Sequence, residues 1–142
     1  MIAKMLGPGR FPLVESEGEV ALDSWTEKEA VLRIKGTGID LIRIRRIKRA
    51  YRRRPKRFLQ RIFTEKEIAF LEAKKNPFPS MAALFAAKEA ISKALGCGIG
   101  RVGWREMEIL PGKRGKPEAV LKGAAFFWAQ EHGIRGVEVS MS

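Results

Sequence analysis

Glu89, Ser92 and Lys93 set a carboxylate, a hydroxyl and an ammonium within five residues of one another. Their stretch, residues 84–96, is dominated by Ala, Leu, Lys and Glu, and no Pro or Gly interrupts it before Gly96. Such a composition favours a helix. Pro79 and Ser80 offer its start, with Ser80 as N-cap, and Gly96 its stop, with Lys93 in the last turn. Leu84, Phe85, Ala87, Ile91, Ala94 and Leu95 make much of the circumference apolar. Glu89 lies one turn after Phe85 and one turn before Lys93, so the polar groups share one flank of a core-like helix. Two readings fit. One is an exposed Glu–Lys pair four residues apart, on the order of a few tenths of a kcal/mol. The other is a chemical site. Periodicity does not choose between them.

The elements around this helix decide what could face it. Residues 1–18, rich in Gly, Pro and Glu, read as an irregular arm, and residues 19–22 and 30–34 as two short strands. Gly36, Thr37, Gly38, Ile39 and Asp40 follow as a strand end made permissive by two glycines and delivering an acid. From Ile42 the pattern turns helical, with Ile44, Ile47, Ala50 and Tyr51 on one face and arginines on the others, up to Pro55. Phe58, Ile62 and Phe63 form a second apolar patch between arginines. Thr64 and Glu67 spell a capping box that opens a helix through Ile68, Phe70 and Leu71. Residues 96–100 are a glycine-rich exit whose N–H groups could face an anion, although a C-cap and turn explain them equally well. Residues 104–110 and 116–121 predict a hairpin with Met107 and Ile109 inward. Residues 123–132 predict an aromatic helix, and residues 136–142 a last strand.

Length points to one domain with room for a real core. The formal net charge is +12, and its distribution is uneven. Residues 43–61 hold eleven Lys or Arg and no acid, while the first 35 residues carry five basic and six acidic side chains. Such a patch fits an acidic partner. One cysteine, Cys97, excludes an internal disulfide, and with a single histidine, His132, there is no Cys/His metal cluster. No apolar run approaches the roughly 20 residues of a membrane span, and a cytoplasmic setting is the expectation.

Three pieces taken together carry a resemblance: Gly36-x-Gly38-x-Asp40, Phe85-x-x-Lys88-Glu89-Ala90-x-x-Lys93-Ala94-x-Gly96, and Gly115-Lys116-Pro117 followed by the Val-x-Val-Ser-x-Ser ending. In that order and spacing the chain, over residues 36–142, resembles the holo-[acyl-carrier-protein] synthases, small 4′-phosphopantetheinyl transferases of fatty-acid synthesis. The resemblance implies an α+β fold, helices packed on a small, mainly antiparallel sheet, in a homotrimer whose active sites are shared between subunits. It implies Mg²⁺-dependent transfer of 4′-phosphopantetheine from coenzyme A to a carrier-protein serine, with release of 3′,5′-ADP. Asp40 and Glu89 match the metal ligands, and Lys93 the lysine that reaches the phosphates. Lys88, Ser92, Lys93 and Gly96 correspond to coenzyme A contacts, as do Gly115, Lys116, Pro117 and Ser142. Arg46, Arg57 and Arg61, with Phe58 as apolar contact, look like the docking face for an acidic acyl carrier protein. Membrane is not expected as a partner, nor nucleic acid.

The chain departs from that pattern in four places. Arg43 stands where members carry Glu, Leu84 where they carry Arg, and Cys97 where Thr is common. The final strand stops at Ser142, before the Ser-x-Ser/Thr-His histidine, the turn and the further strand. Residues 19–35, with Trp25 at the histidine's place, are expected to replace that strand in the sheet. Residues 1–35 are thus read as an extension, and 36–142 as the transferase domain. The competing reading is a carrier-protein binder without catalysis, or a basic nucleic-acid-binding module, neither of which needs Asp40 and Glu89 side by side.

Overall fold

The structure, a computed structural model, describes residues 1–6 and 34–142. Among the described residues, five strands and five α-helices follow one another. They are β1 (Ile2–Leu6), β2 (Ile34–Ile39), α1 (Ile44–Arg53), α2 (Pro55–Ile62), α3 (Glu65–Glu72), α4 (Phe78–Ala94), β3 (Met107–Pro111), β4 (Pro117–Leu121), α5 (Gly123–Glu131) and β5 (Gly136–Ser140). The strands form one antiparallel sheet in the order β2-β1-β5-β4-β3, and the α+β expectation holds.

The second strand of the sheet is unexpected. Residues 2–6, expected within an irregular arm, form β1 and pair with β2 on one side and β5 on the other. That is the slot in which residues 19–35 were expected. Residues 19–33 lie outside the described residues, and Ile34 opens β2. Ala3 and Met5 of β1 are fully buried, with Ala3 opposite Gly38 and Val139.

Helix α4 lies across this face of the sheet because β2 lets it come close. A Cβ added at Gly36 would clash with the Ala94 carbonyl, and one at Gly38 with the Ala90 carbonyl. The helix starts at Phe78, two residues before the expected Ser80 cap, with Pro in its first turn, a position where the missing N–H costs nothing. It ends at Ala94, and Gly96 turns the chain away at φ +74°.

Helices α1 to α3 pack at the other side of α4. The capping box forms as read: Thr64 Oγ1 accepts from Glu67 N and Glu67 Oε2 from Thr64 N. The patch of Phe58, Ile62 and Phe63 is helix α2, with Pro55 in its first turn. Tyr51 stands edge-on to both Phe58 and Phe78, tying α1, α2 and α4 together. On α1, Ile47 alone is buried; Ile44 is 47% exposed, so the apolar face is narrower than its periodicity predicts. The β3–β4 hairpin and the inward Met107 and Ile109 match expectation.

Candidate active site

Asp40 follows β2 directly, and its backbone is held from β1. Its N–H donates to the Met1 carbonyl at 3.1 Å, and the Met1 nitrogen donates to the Asp40 carbonyl at 3.0 Å. Its side chain is held from α4. Lys93 Nζ donates to Asp40 Oδ1 at 2.6 Å and to the Ile39 carbonyl at 3.2 Å. Lys93 therefore pairs with Asp40, 53 residues away, instead of making the local Glu89 pair that helical spacing allows.

Glu89 is half-buried on the same flank. Burial, and next the negative charge of Asp40, push its carboxyl pKa up, against the pull of Lys93. The hydrogen bond to Asp40, helped by the charges of Asp40 and Glu89, raises the Lys93 ammonium above its usual value despite desolvation. Two carboxylates beside one cation form a set of hard oxygen donors that suits a divalent cation. Among the described residues no three His, Cys, Asp or Glu come together, so water and substrate oxygens would have to complete such a cation's shell.

Two residues read as part of this flank lie elsewhere. Lys88 is fully buried, and Nζ donates to the Ile62 carbonyl (2.9 Å), Glu67 Oε2 (2.7 Å) and the Trp104 carbonyl (2.9 Å). An ammonium has three protons, and all three are engaged, so Lys88 is a structural centre and not a coenzyme contact in this arrangement. Glu67 completes it by accepting from Ile109 N. Ser92 is also fully buried, and its hydroxyl donates to the Glu89 carbonyl within the helix. Gly96, one turn past Lys93 in sequence terms, is exposed at the end of α4.

Gly115, Lys116 and Ser142 are exposed, and Pro117 opens β4. Ile39, Ile2 and Ser140 stand in one row of the sheet, and the Glu118–Glu138 pairing extends that row to Lys116. The 115–117 turn is thus at the Asp40 end of the sheet but three strand spacings away, about 14 Å. One chain does not bring it against Asp40, Glu89 and Lys93. His132, expected as a surface residue at a helix end, is that: exposed, stacked on Trp128 at the end of α5.

Arg46, Arg57 and Arg61 are exposed, and Phe58 is half-buried. Sequence reasoning missed Leu41, 85% exposed, which with Ile42, Arg43, Arg45 and Arg46 lines an open groove beside Asp40. An apolar residue directly after the strand end was its only signal.

Residues 36–140 match the model of the 4′-phosphopantetheinyl transferase superfamily. A holo-[acyl-carrier-protein] synthase of Caldanaerobacter subterraneus subsp. tengcongensis is 50% identical over 105 residues, which cover 74% of this chain and 82% of that protein. The chain belongs to the 4′-phosphopantetheinyl transferase superfamily. Within the superfamily its fold matches solved holo-[acyl-carrier-protein] synthases. That of Neisseria meningitidis superposes with a TM-score of 0.72 at 38% identity, covering 78% of this chain and 89% of that one. The Helicobacter pylori enzyme, in complex with coenzyme A, superposes with a TM-score of 0.65 at 31% identity, covering 74% and 87%. The chain is therefore a phosphopantetheinyl transferase of the holo-[acyl-carrier-protein] synthase type, and the reading as a non-catalytic basic module is not favoured.

Proposed function

We propose that the protein transfers 4′-phosphopantetheine from coenzyme A to a serine hydroxyl of an acidic acyl carrier protein, releasing 3′,5′-ADP, with Mg²⁺ held by Asp40 and Glu89. The observation that carries this is the meeting of Asp40, Glu89 and Lys93 on one flank, from elements 50 residues apart in the chain. The coenzyme A in the Helicobacter pylori relative supports the choice of co-substrate. Mg²⁺ suits two carboxylates that leave room for phosphate oxygens, and when bound it would offset charge on the pyrophosphate. Lys93 stays an ammonium at neutral pH, held by Asp40, and can donate to a phosphate oxygen of the leaving group. Glu89 and Asp40 would hold the cation, which would supply charge compensation beside the pyrophosphate.

The active unit in this reading is a homotrimer. Ile2 and Ile39, opposite each other in the ladder, are exposed on the sheet face turned away from Ala3, Gly38 and α4. A second copy on that face would cover them, and could supply the 115–117 turn and Ser142 that one chain keeps about 14 Å away. Basic α1 and α2 then receive the carrier protein, with Arg46, Arg57 and Arg61 for its acids and Phe58 as apolar contact.

Calorimetric titration of coenzyme A with and without Mg²⁺ tests the site. The wild type should bind in a Mg²⁺-dependent manner, and Glu89→Gln should lose that dependence together with on the order of 100-fold in kcat. Full activity in Glu89→Gln would overturn the metal assignment.

A further inference from the structure

Among the described residues, strand β2 ends the sheet and β1 is its one strand neighbour. The described ladder bonds that fix β2 therefore come from residues 2–6. Gly36 and Gly38 bring no side chains to the strand, so its line is set by the β1 ladder along one edge and by the close backbone approach of α4 on one face. The ladder also continues one step past β2. Met1 receives the Asp40 N–H and donates to the Asp40 carbonyl, so both backbone polar groups of Asp40 are engaged by a single residue next to β1. Ala3, two residues on, is fully buried opposite Gly38 and Val139 and anchors the strand against α4.

From this we infer that residues 1–3 are a positioning element of the transferase site, setting Asp40 where its carboxylate meets Lys93 and shares a cation with Glu89. These residues lie outside the family match, which begins at residue 36. A segment 39 residues upstream fills the slot between β2 and β5 and holds the backbone of the first acid of the site. The inference rests on the metal reading above. β1 acts on that acid through the backbone, and the side chain of Lys93 acts on it from the opposite side. A carboxylate aimed by two such partners loses cation affinity when either is displaced, as outer partners of metal ligands do.

The test uses the full chain and titrates Mg²⁺, by calorimetry in the presence of coenzyme A, and separately by activity. Ala3→Asp forces a charge into a fully buried position and lifts β1. It should raise the Mg²⁺ dissociation constant at least about tenfold while the KM for the carrier protein stays unchanged. Leu71→Ala, a fully buried site on α3, is the stability control. Its melting temperature should fall while its Mg²⁺ affinity holds. Where Ala3→Asp does not fold, Met5→Ala loosens β1 from its buried face, away from Ile2 and Ile39, and a rise of about threefold is expected. An unchanged Mg²⁺ affinity in the β1 variants, or an equal loss in Leu71→Ala, overturns the inference. Asp40→Asn separates the two readings. If it keeps wild-type Mg²⁺ affinity, the metal assignment has failed; if it loses affinity and the β1 variants do not, only the positioning role has failed.

Discussion

Lys88 and Glu67 form a buried ion pair in which all three ammonium protons are engaged and four backbone groups take part, and they hold α2, α3, α4 and β3 in one frame. Burial lowers the Lys88 pKa and the Glu67 charge works against it. Lys88→Met would leave the Glu67 carboxylate buried without its cation, a change that typically costs about 3–5 kcal/mol. Urea unfolding should show that loss; a change below about 1 kcal/mol would mean that the pair relaxes into solvent. Glu108 offers a pH readout. Burial would raise its pKa, but hydrogen bonds from Lys122 and Thr64 and the charges of Lys122 and Lys66 outweigh burial and hold it below the usual carboxylate value. A depressed folded pKa adds stability above the unfolded value, lost as pH falls through the folded one. Glu108→Gln should therefore lower the melting temperature at neutral pH and make its decline in acid shallower than in the wild type. The positions of Glu89 and Lys93 on one flank of α4 were legible because both break an apolar pattern. Lys88 was misread since the family motif names it, although it stands four residues after Leu84 and three before Ile91, both buried, on the core face.

At the level of elements, the two glycines of β2 are the most exacting positions. An alanine at Gly36 or Gly38 places its Cβ against the backbone carbonyls of α4, which cannot swing aside as a side chain would. Gly38→Ala should lower the melting temperature and weaken Mg²⁺-dependent coenzyme A binding together, because Asp40 lies two residues on; thermal melts and calorimetry on the same sample check this. Wild-type melting in Gly38→Ala would contradict the close α4–β2 approach. Helix α4, the capping box of α3, the hairpin and β5 could be read from local signals, since caps, glycine stops and alternation are local. β1 could not. Its five residues are a short apolar patch, and its partner β2 begins 28 residues after it ends. Long-range pairing of that kind is decided by burial of Ala3 and Met5 and leaves little trace in the strand itself. Helix α2 was seen only as an apolar patch, although Pro55 at its start is a helix signal.

For the whole molecule, the concentrated charge is the clearest functional statement. Eleven basic residues between 43 and 61 give α1 and α2 a field that attracts an acidic partner. Arg46→Ala, Arg57→Ala and Arg61→Ala should each raise the carrier-protein KM roughly threefold at low salt with kcat preserved, and added salt should shrink the difference. Steady-state kinetics at two ionic strengths reads both effects. Light scattering should give a mass of three chains, in line with the exposed Ile2 and Ile39. The +12 charge was plain in the sequence; the open groove with Leu41 was not, because an exposed leucine beside arginines is recognised only once the strand end and α1 are placed. The most direct measurement is the mass of an apo-acyl carrier protein after incubation with this protein, coenzyme A and Mg²⁺. The account predicts a gain of one phosphopantetheine group on the carrier serine, abolished by chelation of Mg²⁺ and by Glu89→Gln. An unchanged carrier mass, with no metal-dependent coenzyme A binding, would contradict it.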